Sequence, residues 1–185
     1  MIQPIKPLDI INKYYNTASI TYKILIQHGE LVSDKALIAA GKVAHLNPDL
    51  DFIKEAAMLH DIGIFFTRTP ELGCTGEHPY VSHGYLGRDI LEKEVFKKHA
   101  LVCERHLGVG ISVEDIRCHR LPIPERDMLP VSIEEQIICY ADKFFSKNGT
   151  LAIKEKSVED IIRNLEKYGE EKVEKFKSWV NFFGL

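Results

Sequence analysis

Apolar positions recur at helical spacing along most of the chain. Residues 18–27 bring Ile20, Ile24 and Leu25 together and predict a first helix. In "HGELVSDKALIAAGKVAHLN" the positions Leu31, Val32, Ala36, Ala39, Ala40 and Val43 predict a second. Asn47-Pro48 ends it, because proline disfavours helix in the residue before it. "DLDFIKEAAMLHDIG" predicts a third helix, with Asp49 or Asp51 as its cap and Gly63 as its terminator. Residues 67–80 form the longest loop, and helices are expected at about 81–92, at about 94–107 and after Val113. "HRLPIPERDMLP" holds three prolines and is expected to run extended. Ser132 with Glu135 makes a capping-box pattern before "IEEQIICYADKFFSK". Ser157 with Asp160 opens a last amphipathic helix, about 157–183, in a weaker version of that pattern. Its many Glu and Lys predict a solvated outer helix rather than part of a site. No strand pair stands out. The expectation is an all-α, single-domain helical bundle over 1–185, with its core at about 20–150.

Composition narrows the partners. A length of 185 residues suits one domain, and 45% hydrophobic with 28% charged residues is ordinary for a globular protein. A formal charge of −3 gives no support for a nucleic-acid or anionic-membrane partner. No apolar run approaches the roughly 18 residues of a membrane span, and the first residues lack the unbroken apolar stretch of a signal peptide. Cys74, Cys103, Cys118 and Cys139 are scattered without a C-x-x-C pair and read as reduced thiols, which makes a cytoplasmic location the expectation.

The chemistry sits in "EAAMLHDIGIFF". From Ala56 to Phe66, every residue except His60 and Asp61 is apolar or glycine. Burying an imidazole and a carboxylate costs several kcal/mol, on the order of, unless a partner charge or a metal ion compensates. Neither a G-x-x-x-x-G-K-[ST] phosphate loop nor a G-x-S-x-G elbow occurs. Cys103 and Cys139 lie in apolar helices and read as small core residues. What remains is His28 opening a helix, His60 and Asp61 closing another, His83 opening a third, His106 closing a fourth and Asp142 within a fifth. Each alone has an ordinary reading: a hydrogen-bonded core histidine, or a carboxylate paired with Arg or Lys. Six such groups on five inward-facing helices point further. Their nitrogen and oxygen donors suit Zn, Mn, Fe, Co or Ni, and bundles build metal sites from facing helices.

These residues resemble the HD-domain metal-dependent phosphohydrolases. His60-Asp61-Ile62-Gly63 matches the "HDIG" form of the family motif, His28 in "QHGELVSDKAL" its first ligand and Asp142 in "ADKFFSK" its last. His83, in an H-G-x-x-G context, and His106 match the extra pair of members with two metals. The resemblance implies a primary metal site of His28, His60, Asp61 and Asp142, with His83, His106 and the shared Asp61 holding a second ion. It implies one or two divalent ions and attack on phosphorus by a water they activate, with Asp61 central to catalysis. A phosphate also wants cations. Lys143, next to Asp142, is the first choice for contacting substrate, then Arg126 and Arg68, with His78 of the long loop as a further candidate. Glu104 reads as exposed before it reads as an outer carboxylate. His99 reads as surface or packing, and His45 and His119 as surface.

Within the resemblance, alarmone hydrolases carry an acidic pair where this chain has Ile64 and Phe65. Cyclic-dinucleotide enzymes carry Gly-Tyr-Pro where this chain has Leu86 after Gly84-Tyr85. The expectation is a hydrolase of a phosphate ester or anhydride in a nucleotide-like small molecule. The alternatives are a di-iron oxygenase with the same ligands, or a non-catalytic sensor of the same fold. A homodimer is compatible with the sequence, which says little about assembly.

Overall fold

The computed structural model describes residues 6–184, so the outermost ends of the expected 1–185 domain lie outside the described residues. The elements are α1 (Pro7–Tyr14), α2 (Ile20–Lys42), α3 (Leu50–Leu59), β1 (Arg68–Thr69), β2 (Cys74–Thr75), α4 (His83–Lys93), α5 (Lys97–Arg105), α6 (Val113–His119), α7 (Ile133–Asp142), α8 (Val158–Leu165) and α9 (Glu170–Phe183). The fold is all-α, and its only described sheet is the two-residue antiparallel pair β1–β2 inside the long loop. Among the described residues, no helix is long and apolar enough to cross a membrane.

Two large apolar clusters hold the bundle, and a small third one gathers Ile116, Ile123 and Met128. In the first, α2 packs Val32, Ala36, Ala39 and Ala40 with Ile53, Ala56 and Ala57 of α3 and Ile137, Ile138 and Ala141 of α7. The small alanines let the backbones approach, and α9 seals the cluster with Phe176, Trp179 and Phe183. In the second, Ile10 and Ile11 of α1 meet Ile24, Leu25, Leu59, Ile62, Leu91 and Cys103. Neighbours in sequence fall into different clusters: Leu25 and Val32 flank His28, and Ala57 and Leu59 precede His60. The polar residues therefore lie in the seam between the two clusters.

Three sequence expectations change. The first two predicted helices are one: His28 sits inside the continuous α2 rather than at a helix start. Gly29 does not break it, and a Cβ there would meet Met58 Cα at 3.2 Å, so the glycine lets α3 lie close. Gly63 is not a left-handed terminator, because its φ is −81° and α3 ends earlier, at Leu59. The last predicted helix is two, broken at Gly169, whose φ of +115° favours glycine.

The expected caps form, but the expected box at Ser132 is only half made. Asp49 accepts from the Phe52 N–H at 3.0 Å, and Ser132 from the Glu135 N–H at 3.2 Å. Glu135 does not complete a box; its carboxylate takes Arg105 and the Val131 N–H instead. A Ser132→Ala variant is expected to lose about 1 kcal/mol, read as a melting temperature about 2–4 °C lower.

Candidate metal centre

Four buried donors converge first. His28 Nε2 lies 3.2 Å from His60 Nε2, 3.2 Å from Asp61 Oδ2 and 3.0 Å from Asp142 Oδ1. His60 Nε2 lies 3.2 Å from Asp61 Oδ2 and 3.5 Å from Asp142 Oδ1. A second group shares Asp61 through its other oxygen: Oδ1 is 3.1 Å from His83 Nε2 and 3.4 Å from His106 Nε2, and the two imidazole nitrogens are 3.1 Å apart. All six residues are buried.

The local chain sets the tautomers. His60 and His106 cap the ends of α3 and α5, and His83 follows a single 3-10 turn. Each donates its Nδ1–H to the carbonyl three residues earlier: Ala57 at 2.6 Å, Cys103 at 2.7 Å and Tyr80 at 2.6 Å. In its neutral form each ring then keeps Nε2 as a lone pair aimed inward, the arrangement of metal-ligating histidines. Tyr15 fixes the turn after Asp61 by donating to the Ile62 carbonyl at 2.8 Å and accepting from the Phe65 N–H at 3.3 Å.

The residues fit divalent ions. Lone pairs of His83 and His106 face each other at 3.1 Å, which is repulsive without a cation to share. Asp61 Oδ1 is buried and makes no aligned hydrogen bond, although both those imidazoles surround it. Donor separations of 3.0–3.5 Å in the first group suit one ion held at about 2 Å from each donor. The set is nitrogen and oxygen only, which favours Zn, Mn, Fe, Co or Ni over soft metals. Cys103 and Cys139 are close by but donate to the Leu59 and His106 carbonyls at 3.1 and 3.2 Å. Burial pushes Cys139 up to about 12 and Cys103 well above the usual thiol range, so both stay protonated.

The field of the pocket favours positive charge. Burial works against a charged His60, but Asp61 and Asp142 overcome it and raise that imidazole to about 9. Burial likewise opposes ionising Asp61, yet His60 and Lys147 hold its carboxyl well below the usual range. For Asp142, Lys143 and His28 do the same. His106 goes the other way: burial drives it down to about 4 despite Asp61.

Lys147 and Lys156 are site cations that the sequence reading did not single out, and Lys147 lies nearest the donors. Its ammonium pairs with Asp61 Oδ2 and lies 3.1 Å from His28 Nε2. It sits five residues past Asp142, in the loop after α7, where no helical spacing marks it. Lys143 pairs with Asp142 Oδ2 at 3.0 Å, on the carboxylate oxygen that does not face the imidazoles. Both lysines, with Lys156, line a cavity of about 420 Å³ that reaches His83, His106 and Asp142. Ile161, Asn164, Leu165 and Tyr168 form part of its wall. The segment read as a purely solvated outer helix therefore borders the site, because its apolar side turns inward.

The other expected substrate contacts lie elsewhere. Arg126 is spent on Glu104, at 2.5 Å, and Arg88 pairs with the same carboxylate at 2.5 Å. Glu104 is thus 1% exposed rather than a surface residue, since two guanidinium groups offset its burial. Arg68 is exposed on β1, its N–H donating to the His78 carbonyl at 2.7 Å, and neither residue lines the cavity. His99 is buried between Phe52 and Phe96 and pairs with Glu55, a packing role, while His45 and His119 are exposed.

Comparison with known proteins agrees with this arrangement. A relative from Methanocaldococcus jannaschii, an uncharacterized protein, is 32% identical over 146 residues, covering 77% of this chain and 76% of its own. A Thermoplasma volcanium protein named tRNA (cytidine(56)-2'-O)-methyltransferase is 31% identical over 149 residues, and one of the same name from Picrophilus torridus is 28% identical over 149. Each alignment covers 80% of this chain, which spans only 38% and 35% of those two longer proteins. No solved structure matches. The HD domain family model matches residues 15–146, the stretch that contains every one of the six converging ligands, and the chain belongs to the HD domain family.

Proposed function

We propose that this protein is a metal-dependent phosphohydrolase that cleaves a phosphate ester or anhydride of a nucleotide-like small molecule. The observation that carries the reading is the joining of two donor groups through Asp61, beside a cavity that His83, His106 and Asp142 border and that also presents three lysines. A divalent ion at such donors lowers the pKa of water and neutralises phosphoryl oxygens. The residues His28, His60, Asp61 and Asp142 would hold one ion, and Asp61, His83 and His106 another.

The chain's own cations then decide how phosphate binds. Lys143, Lys147 and Lys156 supply charge where the transition state gathers it. Burial opposes charge on Lys143 and Lys147, but their carboxylate partners raise both above the ordinary lysine value, so both remain ammonium ions at neutral pH. In the reaction, water oxygen bonds to phosphorus and the bond from phosphorus to the bridging oxygen breaks. The leaving group takes up a proton, and no covalent enzyme intermediate is required. The lysines favour this reading over a di-iron oxygenase acting on an uncharged organic substrate. Relatives named for action on tRNA support a nucleotide-like substrate, in that related domains serve in chains that act on RNA.

The test is metal quantification on the isolated protein, then a screen of nucleoside mono- and polyphosphates with Mn, Co and Ni. Hydrolysis with more than one of these metals, and without oxygen, is the expected result. Turnover that requires iron and oxygen would establish the oxygenase instead, and no turnover across the panel would leave a sensor. Lys143→Ala is expected to raise KM or lower kcat by about 10–100-fold while metal content stays at the wild-type level.

A further inference from the structure

Beyond the metal-site cavity lies a second chamber of about 500 Å³. Tyr80, Leu107, Gly108, Leu165 and Tyr168 line both spaces, so the two meet at a neck. Their linings are opposite in kind. Lys143, Lys147 and Lys156 face the first space and not the second. Past the neck the wall is Val81, Val109, Ile111 and Leu121. The charged groups there are already engaged with each other. Lys172 meets Asp115 at 2.5 Å and also reaches the Gly110 carbonyl at 3.4 Å. Asp115 additionally accepts from the Ser112 N–H and hydroxyl, closing the capping box of α6. His119, exposed, completes the polar part of the lining. Charge is thus concentrated at one end of a continuous space and apolar surface at the other.

We propose that the second chamber holds the organic half of the substrate, and that this half is uncharged and apolar or aromatic, of single- or double-ring size. The inference rests on the phosphohydrolase reading for the position of the phosphate. With the phosphate among the three lysines, a body attached to it leads through the neck. Tyr80 and Tyr168, both partly open to solvent, stand there as aromatic surfaces for a flat ring. A second anionic group at the far end would meet Asp115 and leave its own charge unpaired. Burial of apolar area favours the long substrate by about fourfold for each methylene-sized group.

The test uses full-length, metal-loaded protein and two probes with the same alkyl leaving oxygen: 2-(1-naphthyl)ethyl phosphate and ethyl phosphate. Both kcat/KM and equilibrium binding by calorimetry are measured. The naphthyl probe is expected to be favoured by on the order of 100-fold in both. Leu121→Glu, which touches the chamber but not the metal cavity, is expected to cut that preference at least about tenfold. Inhibition by inorganic phosphate should stay unchanged. Val81→Trp, which fills the same space, serves if Leu121→Glu fails to fold. Equal turnover of the two probes, unmoved by either variant, overturns the inference and leaves the phosphohydrolase reading standing. Selective binding of the naphthyl probe without turnover, lost in the variants, upholds the chamber and removes the phosphohydrolase reading. Absence of any difference in binding, with no turnover, overturns it as well.

Discussion

Asp61→Ala is expected to empty both donor groups in one step. Its Oδ2 belongs with His28, His60 and Asp142, and its Oδ1 with His83 and His106. Removing one histidine leaves one group short by one donor; removing Asp61 takes a donor from both at once, the sole carboxylate of the second group and one of the two in the first. Metal content should fall to background, and turnover by about 10³-fold or more, since both charge stabilisation and water activation depend on the ions. His83→Ala should behave differently. It touches only the second group, so one ion per chain is expected to remain. Asp61→Asn is the folding control, because it keeps the shape and one hydrogen-bonding oxygen while removing the charge. Circular dichroism like that of the wild type with metal lost would assign the effect to charge. Full turnover in Asp61→Ala would show that the chemistry is elsewhere. The comparison is best made on stoichiometry by elemental analysis before any substrate is known.

The six donors were legible because each combines an unusual residue with an apolar setting. A histidine or aspartate inside a run such as "AAMLHDIGIFF" is a local anomaly that needs no partner to be noticed. The helices that carry them were legible for the same reason, through apolar spacing. What was not legible depends on contacts between distant segments. Lys147 is an ordinary lysine in "KFFSKNG", and only folding the loop after α7 over α2 brings it to His28 and Asp61. Glu104 and Arg126 look like surface charges one by one, and Glu104 becomes buried under an exposed Arg126 only because α5 lies under the segment that follows α6. In α8 and the turn after it, charged and apolar residues are equally frequent, and only the fold shows that Ile161, Leu165 and Tyr168 of the apolar set wall a cavity. The joining of two predicted helices into α2 has a different cause. Gly29 lies inside the continuous helix, and Met58 packs against it where an added Cβ would be crowded.

Gly63→Ala carries that distinction to a measurable end. The Gly63 backbone is helical, with φ −81° and ψ −3°, so any residue could adopt it. The position requires glycine for space. An added Cβ would lie 2.2 Å from the His83 carbonyl oxygen and 2.5 Å from the Gly87 amide nitrogen. Both are backbone atoms of α4, so no side chain can rotate away, and the helix itself has to move. The cost is expected to be about 3 kcal/mol or more, a melting temperature roughly 6–12 °C lower. The displacement also has a chemical signature. α4 begins at His83, whose Nε2 lies 3.1 Å from Asp61 Oδ1, whereas His28, His60 and Asp142 are on other elements. Shifting α4 therefore loosens the second donor group and spares the first. At a metal concentration that just fills both donor groups of the wild type, the variant should hold one ion per chain, and that ion should bind with near wild-type affinity. A variant with wild-type stability would mean that α4 does not pack on this turn as described. Loss of both ions together would mean that the two groups are not separable through His83. Between those outcomes, the glycine of the motif acts as a spacer: it lets the helix bearing one imidazole approach the carboxylate that the other donors already share.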